Sequence, residues 1–145
     1  MKIKIKKLNE YATIPFHGSE YAAGYDVTAA IDAPLVIAPH TTVKVGTGLA
    51  FELPEGYFMD IRPRSGLATK KGLRPANTPG TCDADYRGEY IVALHNDTNM
   101  KQEIEPGERI AQIILRQYTP MEFEEVDELS DTVRSDGGFG STGRI

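Results

Sequence analysis

Cysteine is almost missing from this chain: Cys82 is the only one in 145 residues. An internal disulfide is excluded, and so is a zinc cluster built on thiolates. The three histidines, His17, His40 and His95, stand far apart and read as surface or turn residues, not as a ligand set. Positive charge is in deficit, with 16 Lys and Arg against 21 Asp and Glu and a formal net charge of −5. That balance argues against general nucleic-acid binding, which draws its affinity from an excess of Lys and Arg. No apolar run approaches the ~20 residues of a membrane-spanning helix, and the opening MKIKIKKLNE lacks the apolar stretch of a signal peptide. The expectation is a cytoplasmic protein with no nucleic-acid partner and no membrane contact. A sustained 3.6-residue apolar period is absent too, which removes substantial amphipathic helices.

What the sequence has is punctuation. Its 14 Gly and 9 Pro are spread along the chain and cut it into short pieces. Lys2-Ile3-Lys4-Ile5-Lys6 alternates at period two, as a half-buried strand does, with a basic unstructured arm as the alternative. Further strands are expected at Tyr25–Ala29, Leu35–Ile37, Thr42–Glu52, Tyr57–Arg62, Glu89–Asn96, Gln102–Ile104 and Arg109–Gln117. Turn sequences such as Leu53-Pro54-Glu55-Gly56 and Glu105-Pro106-Gly107 lie between them. Many short strands at this spacing predict an all-β sandwich or barrel. One short helix is expected through Gly66–Lys71, with Ser65 as its cap and Gly72 as its stop. Met121–Leu129 is ambiguous between helix and edge strand and leans to strand. The chain then divides into a β domain over residues 1–129 and a Gly-rich segment over 130–145, which on composition alone reads as a frayed tail.

Several apparent motifs fail on context. Residues 138–143 spell GxGxxG, but only two residues follow, so no helix can begin there to receive a pyrophosphate. Asn96-Asp97-Thr98 spells a glycosylation sequon and reads as coincidence without a secretory signal. Neither a GxxxxGK[ST] phosphate loop nor a GxSxG nucleophile turn occurs.

Four polar clusters are more than a sandwich core requires. Pro63-Arg64-Ser65-Gly66-Leu67-Ala68 places an Arg and a hydroxyl at a helix start, a good anion site and equally a plain cap. In Gly80–Glu89, Asp83 and Asp85 share one face if the segment is extended; the alternative is a solvated turn with a salt bridge to Arg87. In Gly107–Gln112, Gln112 interrupts an apolar strand and must find a partner or face water. The fourth cluster joins Arg134 to Gly137–Gly143.

Together with Ala23-Gly24-Tyr25-Asp26-Val27 upstream, and ending in Gly-Gly-Phe-Gly-Ser-Thr-Gly, these clusters resemble the ordered motifs of the homotrimeric dUTP pyrophosphatases (dUTPases). The match runs from about residue 22 to residue 143. It implies a jelly-roll-like β-sandwich with one short helix, in a trimer whose active sites lie between subunits. It also changes the tail into an arm that orders over bound nucleotide and excludes water. The reaction implied is hydrolysis of dUTP to dUMP and pyrophosphate, which limits uracil in DNA and supplies dUMP for thymidylate synthesis.

The resemblance also assigns roles. Asp83 would activate the water that attacks the α-phosphorus. Tyr86 would pack on the deoxyribose and leave no room for a 2′-hydroxyl. Asn77 and backbone groups from Pro79 to Asp83, Gly80 among them, would read uracil. Arg64, Ser65, Gly66 and Gln112 would hold the triphosphate, with Arg134, Gly140, Ser141 and Thr142 closing over it and Phe139 stacking on the base. Mg²⁺ would ride on the phosphates and waters with no direct protein ligand, Asp26 touching it at most through water. Two departures stand out: Ser135 follows Arg134 where the family usually has Gly, and Cys82 occupies a place where an aliphatic residue is common. A dCTP deaminase of the same fold and a dUTPase-like regulatory protein are the competing readings.

Overall fold

The computed structural model describes residues 1–138. Among them are twelve strands and one helix: β1 Lys4–Lys7, β2 Phe16–His17, β3 Tyr25–Thr28, β4 Leu35–Ile37, β5 Thr42–Gly46, β6 Leu49–Glu52, β7 Tyr57–Arg62, α1 Ser65–Lys71, β8 Leu73–Pro75, β9 Gly80–Cys82, β10 Ile91–Asn96, β11 Gln102–Ile104 and β12 Arg109–Gln117. Every pairing is antiparallel. The largest sheet runs β2-β3-β12-β7-β9, with β5-β10-β8, β1-β6 and β4-β11 completing the wrap. Most partners lie far apart in sequence, as β3 with β12 and β5 with β10, which is the jelly-roll-like β arrangement expected.

Strand alternation decides what is buried. In β10, Val92, Leu94 and Asn96 are buried while Ile91 is exposed and Ala93 and His95 are half-buried. Val27, Leu49, Leu73, Tyr90, Leu94, Ile104 and Ile110 form the centre of one continuous apolar core. Asn96, completely buried, donates to the carbonyls of Ile37, Ala38 and Met100 and accepts from the backbone and hydroxyl of Thr98. Its amide is a structural tie, and the sequon is indeed coincidental.

The predicted strand Thr42–Glu52 is two strands. Gly48 sits at φ +65°, a left-handed conformation open to glycine, and a Cβ there would lie 2.7 Å from that of Ala12. The bend at Thr47-Gly48 carries the chain from the β10 sheet to the β1 sheet. The short helix forms where expected and stops at Gly72, φ +64°, whose N–H donates to the Ala68 carbonyl. Ser65 does not cap it: Arg64 holds the extended N-cap position with no side-chain bond, and Ser65 is the first helical residue.

Met121–Leu129 is neither strand nor helix. Among the described residues the last regular element is β12, ending at Gln117, and Met121, Phe123 and Leu129 are strongly exposed. Their alternation has no paired strand among the described residues. Phe139, Gly140, Ser141 and Thr142 lie outside the described residues.

Candidate active site

A bulge in β12 builds the first half of the site. Arg109 pairs with Thr28 and Ala111 with Val27, so Ile110 is an extra residue in the ladder. Ile110 and Ala111 are both buried in succession, and Arg109 and Gln112 emerge on one side. Regular alternation would put two residues three apart on opposite faces. Gln112 lies opposite both Asp26 and Arg62. Its Nε2 donates to the Pro63 carbonyl at 2.9 Å, so the polar residue in the apolar strand has its partner. Gly24 leaves room for the Gln112 amide; a Cβ at that position would collide with it.

Asp26 joins these elements. Its Oδ1 accepts Arg64 Nε at 2.9 Å, and its Oδ2 accepts Arg109 Nη1 at 3.1 Å. Two guanidinium groups thus share one nearly buried carboxylate, leaving positive charge and unused N–H donors. Asp26, Arg64, Ser65, Gly66, Arg109 and Gln112 line an open cleft of about 350 Å³. It is suited to an anion with several oxygens. Arg109 was not singled out from sequence; only its place three residues before Gln112 marked it, and the bulge was not visible.

The second half lies around the segment after β9. Tyr86 N–H donates to the Asp83 carbonyl at 3.2 Å, closing a turn over 83–86. The segment is therefore not extended, and Asp83 and Asp85 do not form a two-carboxylate strand face. Among the described residues Arg87 makes no salt bridge; its Nη1 donates to the carbonyls of Ala84 and Tyr86 and tightens the same turn. Asp83 is exposed, and none of the ion pairs among the described residues involves it. It lines a cleft of about 250 Å³ with Tyr86, Cys82, Glu89, Tyr90 and Ile91. A broader groove on its other side includes Phe58, Asp85, Arg87 and Tyr118.

Asn77 sits in an adjoining depression with Lys44, Ala76, Ile91 and Ala93, and Ile91 is common to both hollows. Gly80 is buried beneath it, where a Cβ would meet the Asn77 amide at 3.4 Å. Burial pushes the Cys82 thiol up to about 11. Burial likewise raises the phenol of Tyr90, whose hydroxyl has no oxygen or nitrogen partner among the described residues. Cys82 is a small, half-buried group whose thiolate form burial disfavours.

The structure thus brings Arg64, Ser65, Gly66 and Gln112 together, and separately brings Asp83 and Tyr86 together, with Asn77 and Gly80 alongside. The two sets share no lining residue. Arg134 is exposed and joins neither; its Nε donates to the Gly137 carbonyl in its own turn. Ser135 in that turn has φ +45°, a conformation that favours glycine.

A family model described as dUTPase matches residues 10–143. The chain belongs to the dUTPase family. The deoxyuridine 5'-triphosphate nucleotidohydrolase of Nautilia profundicola is 52% identical over 144 residues, covering 99% of this chain and 100% of that one. Among solved structures, the dUTPase of Staphylococcus bacteriophage 80alpha with dUPNHPP has a TM-score of 0.88 at 27% identity and covers 99% of both chains. A mutant dUTPase from phage phi11 of S. aureus, described with a structural Mg(II) ion, shares the fold at a TM-score of 0.80 and 22% identity, over 90% of this chain and 100% of that one. This dUTPase is accordingly a hydrolase of nucleotide metabolism with a jelly-roll-like fold. Among the described residues no helix is long and apolar enough to cross a membrane.

Proposed function

We propose that this dUTPase hydrolyses dUTP to dUMP and pyrophosphate with Asp83 as the general base. Asp83 takes a proton from a water, the water oxygen bonds to the α-phosphorus, and the bond to the β-phosphate bridging oxygen breaks, releasing pyrophosphate. The carrying observation is the exposed carboxylate of Asp83 on the 83–86 turn, without an ion pair among the described residues and in one cleft with the Tyr86 ring. A neighbouring guanidinium would hold the group ionised but occupy its oxygens; here they are open to a water. General-base assistance of this kind supplies ~10²–10⁴ in rate.

Tyr86, which lines the same cleft as Asp83, lies against the deoxyribose in this reading. Asn77 and the backbone around Gly80 form the hollow next to it, suited to the donor and acceptor edge of uracil. A base with the reversed edge would leave buried polar groups unpaired. Arg64, Ser65, Gly66 and Gln112 hold the triphosphate through guanidinium, hydroxyl, amide and carboxamide donors, and these stabilise charge that develops on the phosphates. Arg134, Phe139, Gly140, Ser141 and Thr142 complete the site as an arm over the nucleotide.

The two halves form separate clefts in one chain. A homotrimer in which a neighbour's anion cleft faces the Asp83 cleft resolves this, with the arm drawn from a third copy. The exposed apolar side chains of Met121, Phe123 and Leu129 favour burial against such a neighbour. A cytoplasmic location accords with the nucleotide substrate.

Magnesium fits this donor set as an ion carried by the substrate. Among the described residues no group of three or more His, Cys, Asp or Glu is placed to hold a metal, and both oxygens of Asp26 already accept arginine donors. Mg²⁺ prefers phosphate oxygens and retained waters, and when bound it would neutralise phosphate charge. Asp26 would reach it only through water.

Pyrophosphate release assayed across dUTP, dTTP, dCTP and UTP, with and without Mg²⁺, tests the reading. Release from dUTP alone, dependent on Mg²⁺, is expected. Ammonia from dCTP with no pyrophosphate from dUTP would overturn it in favour of deamination.

A further inference from the structure

Glu89 closes the segment that carries Asp83 and Tyr86, and its carboxylate is bonded outside that segment. Oε1 accepts the backbone N–H of Gly48 at 2.8 Å, a part-buried bond between residues 41 apart. The bend between β5 and β6 takes this N–H out of both ladders and leaves it for Glu89. Gly46 admits the carboxylate only because it has no side chain; a Cβ there would stand 2.5 Å from Oε1. The same bend grips the next residue. Thr47 donates to the Tyr90 carbonyl through its N–H at 3.2 Å and its hydroxyl at 2.6 Å, and Tyr90 N–H donates to Leu49 at 2.8 Å.

From Glu89 the contacts run on to Tyr86. The phenol of Tyr86 donates to the Glu89 carbonyl at 3.1 Å. Its ring lies over Gly88, where any Cβ would collide with the phenol, and stacks on Tyr90 with centroids 6.1 Å apart and planes at 26°. Tyr86 is nevertheless 44% exposed, open to the cleft it shares with Asp83. An exposed tyrosine on a turn ordinarily samples several rotamers. A phenol tied to a carbonyl whose own position is latched does not.

We propose that Glu89 is a positioning residue for sugar selection. Its bond to Gly48 holds the Glu89 carbonyl, the carbonyl holds the Tyr86 phenol, and the fixed ring closes the space a 2′-hydroxyl would need. Glu89 acts through Tyr86 and does not touch the reacting phosphorus. This rests on the reading of Tyr86 as the sugar contact given above.

The test compares kcat/KM for dUTP with that for UTP in the full-length protein and three variants. Glu89→Ala should lower the dUTP-to-UTP ratio about tenfold, because a ring freed by an ångström or so no longer excludes one hydroxyl. Glu89→Gln keeps the acceptor for Gly48 N–H and should restore most of the ratio. Gly46→Ala displaces the same carboxylate from the other side, without altering any residue of the 83–89 segment, and should reproduce the loss. The Glu89→Ala, Gly46→Ala double variant should lose no more than either single one. An active Glu89→Ala protein with an unchanged ratio overturns the proposal, as does a Glu89→Gln protein as impaired as Glu89→Ala. If Glu89→Ala fails to fold, Gly46→Ala decides in the same way. A wild-type protein that leaves dUTP intact overturns the proposed function and this inference together, whereas an active wild type with insensitive variants removes the inference alone.

Discussion

Arg64 Nε donates to Asp26 Oδ1 at 2.9 Å, across 38 positions of sequence. The bond fixes the guanidinium at the mouth of the anion cleft. Asp26 is mostly buried, and its other oxygen is held by Arg109, so its charge is doubly compensated. Asp26→Asn keeps the shape but replaces one acceptor with an N–H₂ that faces a guanidinium. It should cost about 1–2 kcal/mol of stability and lower kcat/KM for dUTP about 10- to 100-fold by unseating Arg64. Thermal melting and steady-state kinetics check both. The well-exposed Lys4–Glu52 pair is the control: its loss should leave the melting temperature unchanged.

Asp83→Asn should bind dUTP with near-native affinity and lose ~10²–10⁴ in turnover. Titration with a non-hydrolysable analogue, set beside kcat, separates binding from chemistry. Retained turnover would remove Asp83 from the role of base.

Cys82 predicts an alkaline limit to stability. Its thiol is held protonated in the fold up to about 11, above its ordinary value of 9.0, chiefly by burial. Between those values the unfolded chain releases the proton and the folded chain keeps it, so the unfolded state gains as pH rises. The contribution is complete below pH 9 and lost on passing through about 11, and the raised phenol of Tyr90 acts in the same direction. Urea midpoints measured from pH 8 to 11 should fall, and Cys82→Ala should flatten the fall. Alkylation of the native thiol at pH 8 should be slow.

Asn96→Ala removes a side chain that serves three carbonyls and accepts two bonds from Thr98. Several buried polar groups are then left without partners, at about 3 kcal/mol. For a domain of this size that is about 10 °C in melting temperature. Calorimetry decides it, with Thr98→Ala expected to cost less.

The arm yields a pair of expectations. Residues 130–138 are almost wholly exposed, so deleting 130–145 should leave a folded protein with severely reduced activity. Ser135 holds a left-handed φ that costs about 1 kcal/mol without glycine. Ser135→Gly should relieve it and raise kcat/KM. Unfolding on truncation would make the segment structural instead.

Much of the architecture was legible because strand alternation and turn residues are local. Leu35–Ile37, Tyr57–Arg62, Gln102–Ile104 and Arg109–Gln117 lie where the pattern puts them. The strands β2, β8 and β9 were not read from the sequence. Thr42–Glu52 read as one strand because a bend needs a single glycine whose conformation the letters do not declare. Met121–Leu129, ambiguous between helix and edge strand, leaned to strand because alternation records a potential for pairing, not the presence of a partner.

The order of chemical groups along the chain, and with it the family, was determined by the sequence alone. Which groups meet was decided only by the tertiary structure. An extra residue in β12 turns Arg109 to the side of Gln112, long-range pairing delivers Asp26 between two arginines, and a left-handed glycine turns an N–H toward Glu89. Each depends on register between distant segments, and register is set by the burial of whole strand faces, which no short stretch of residues contains.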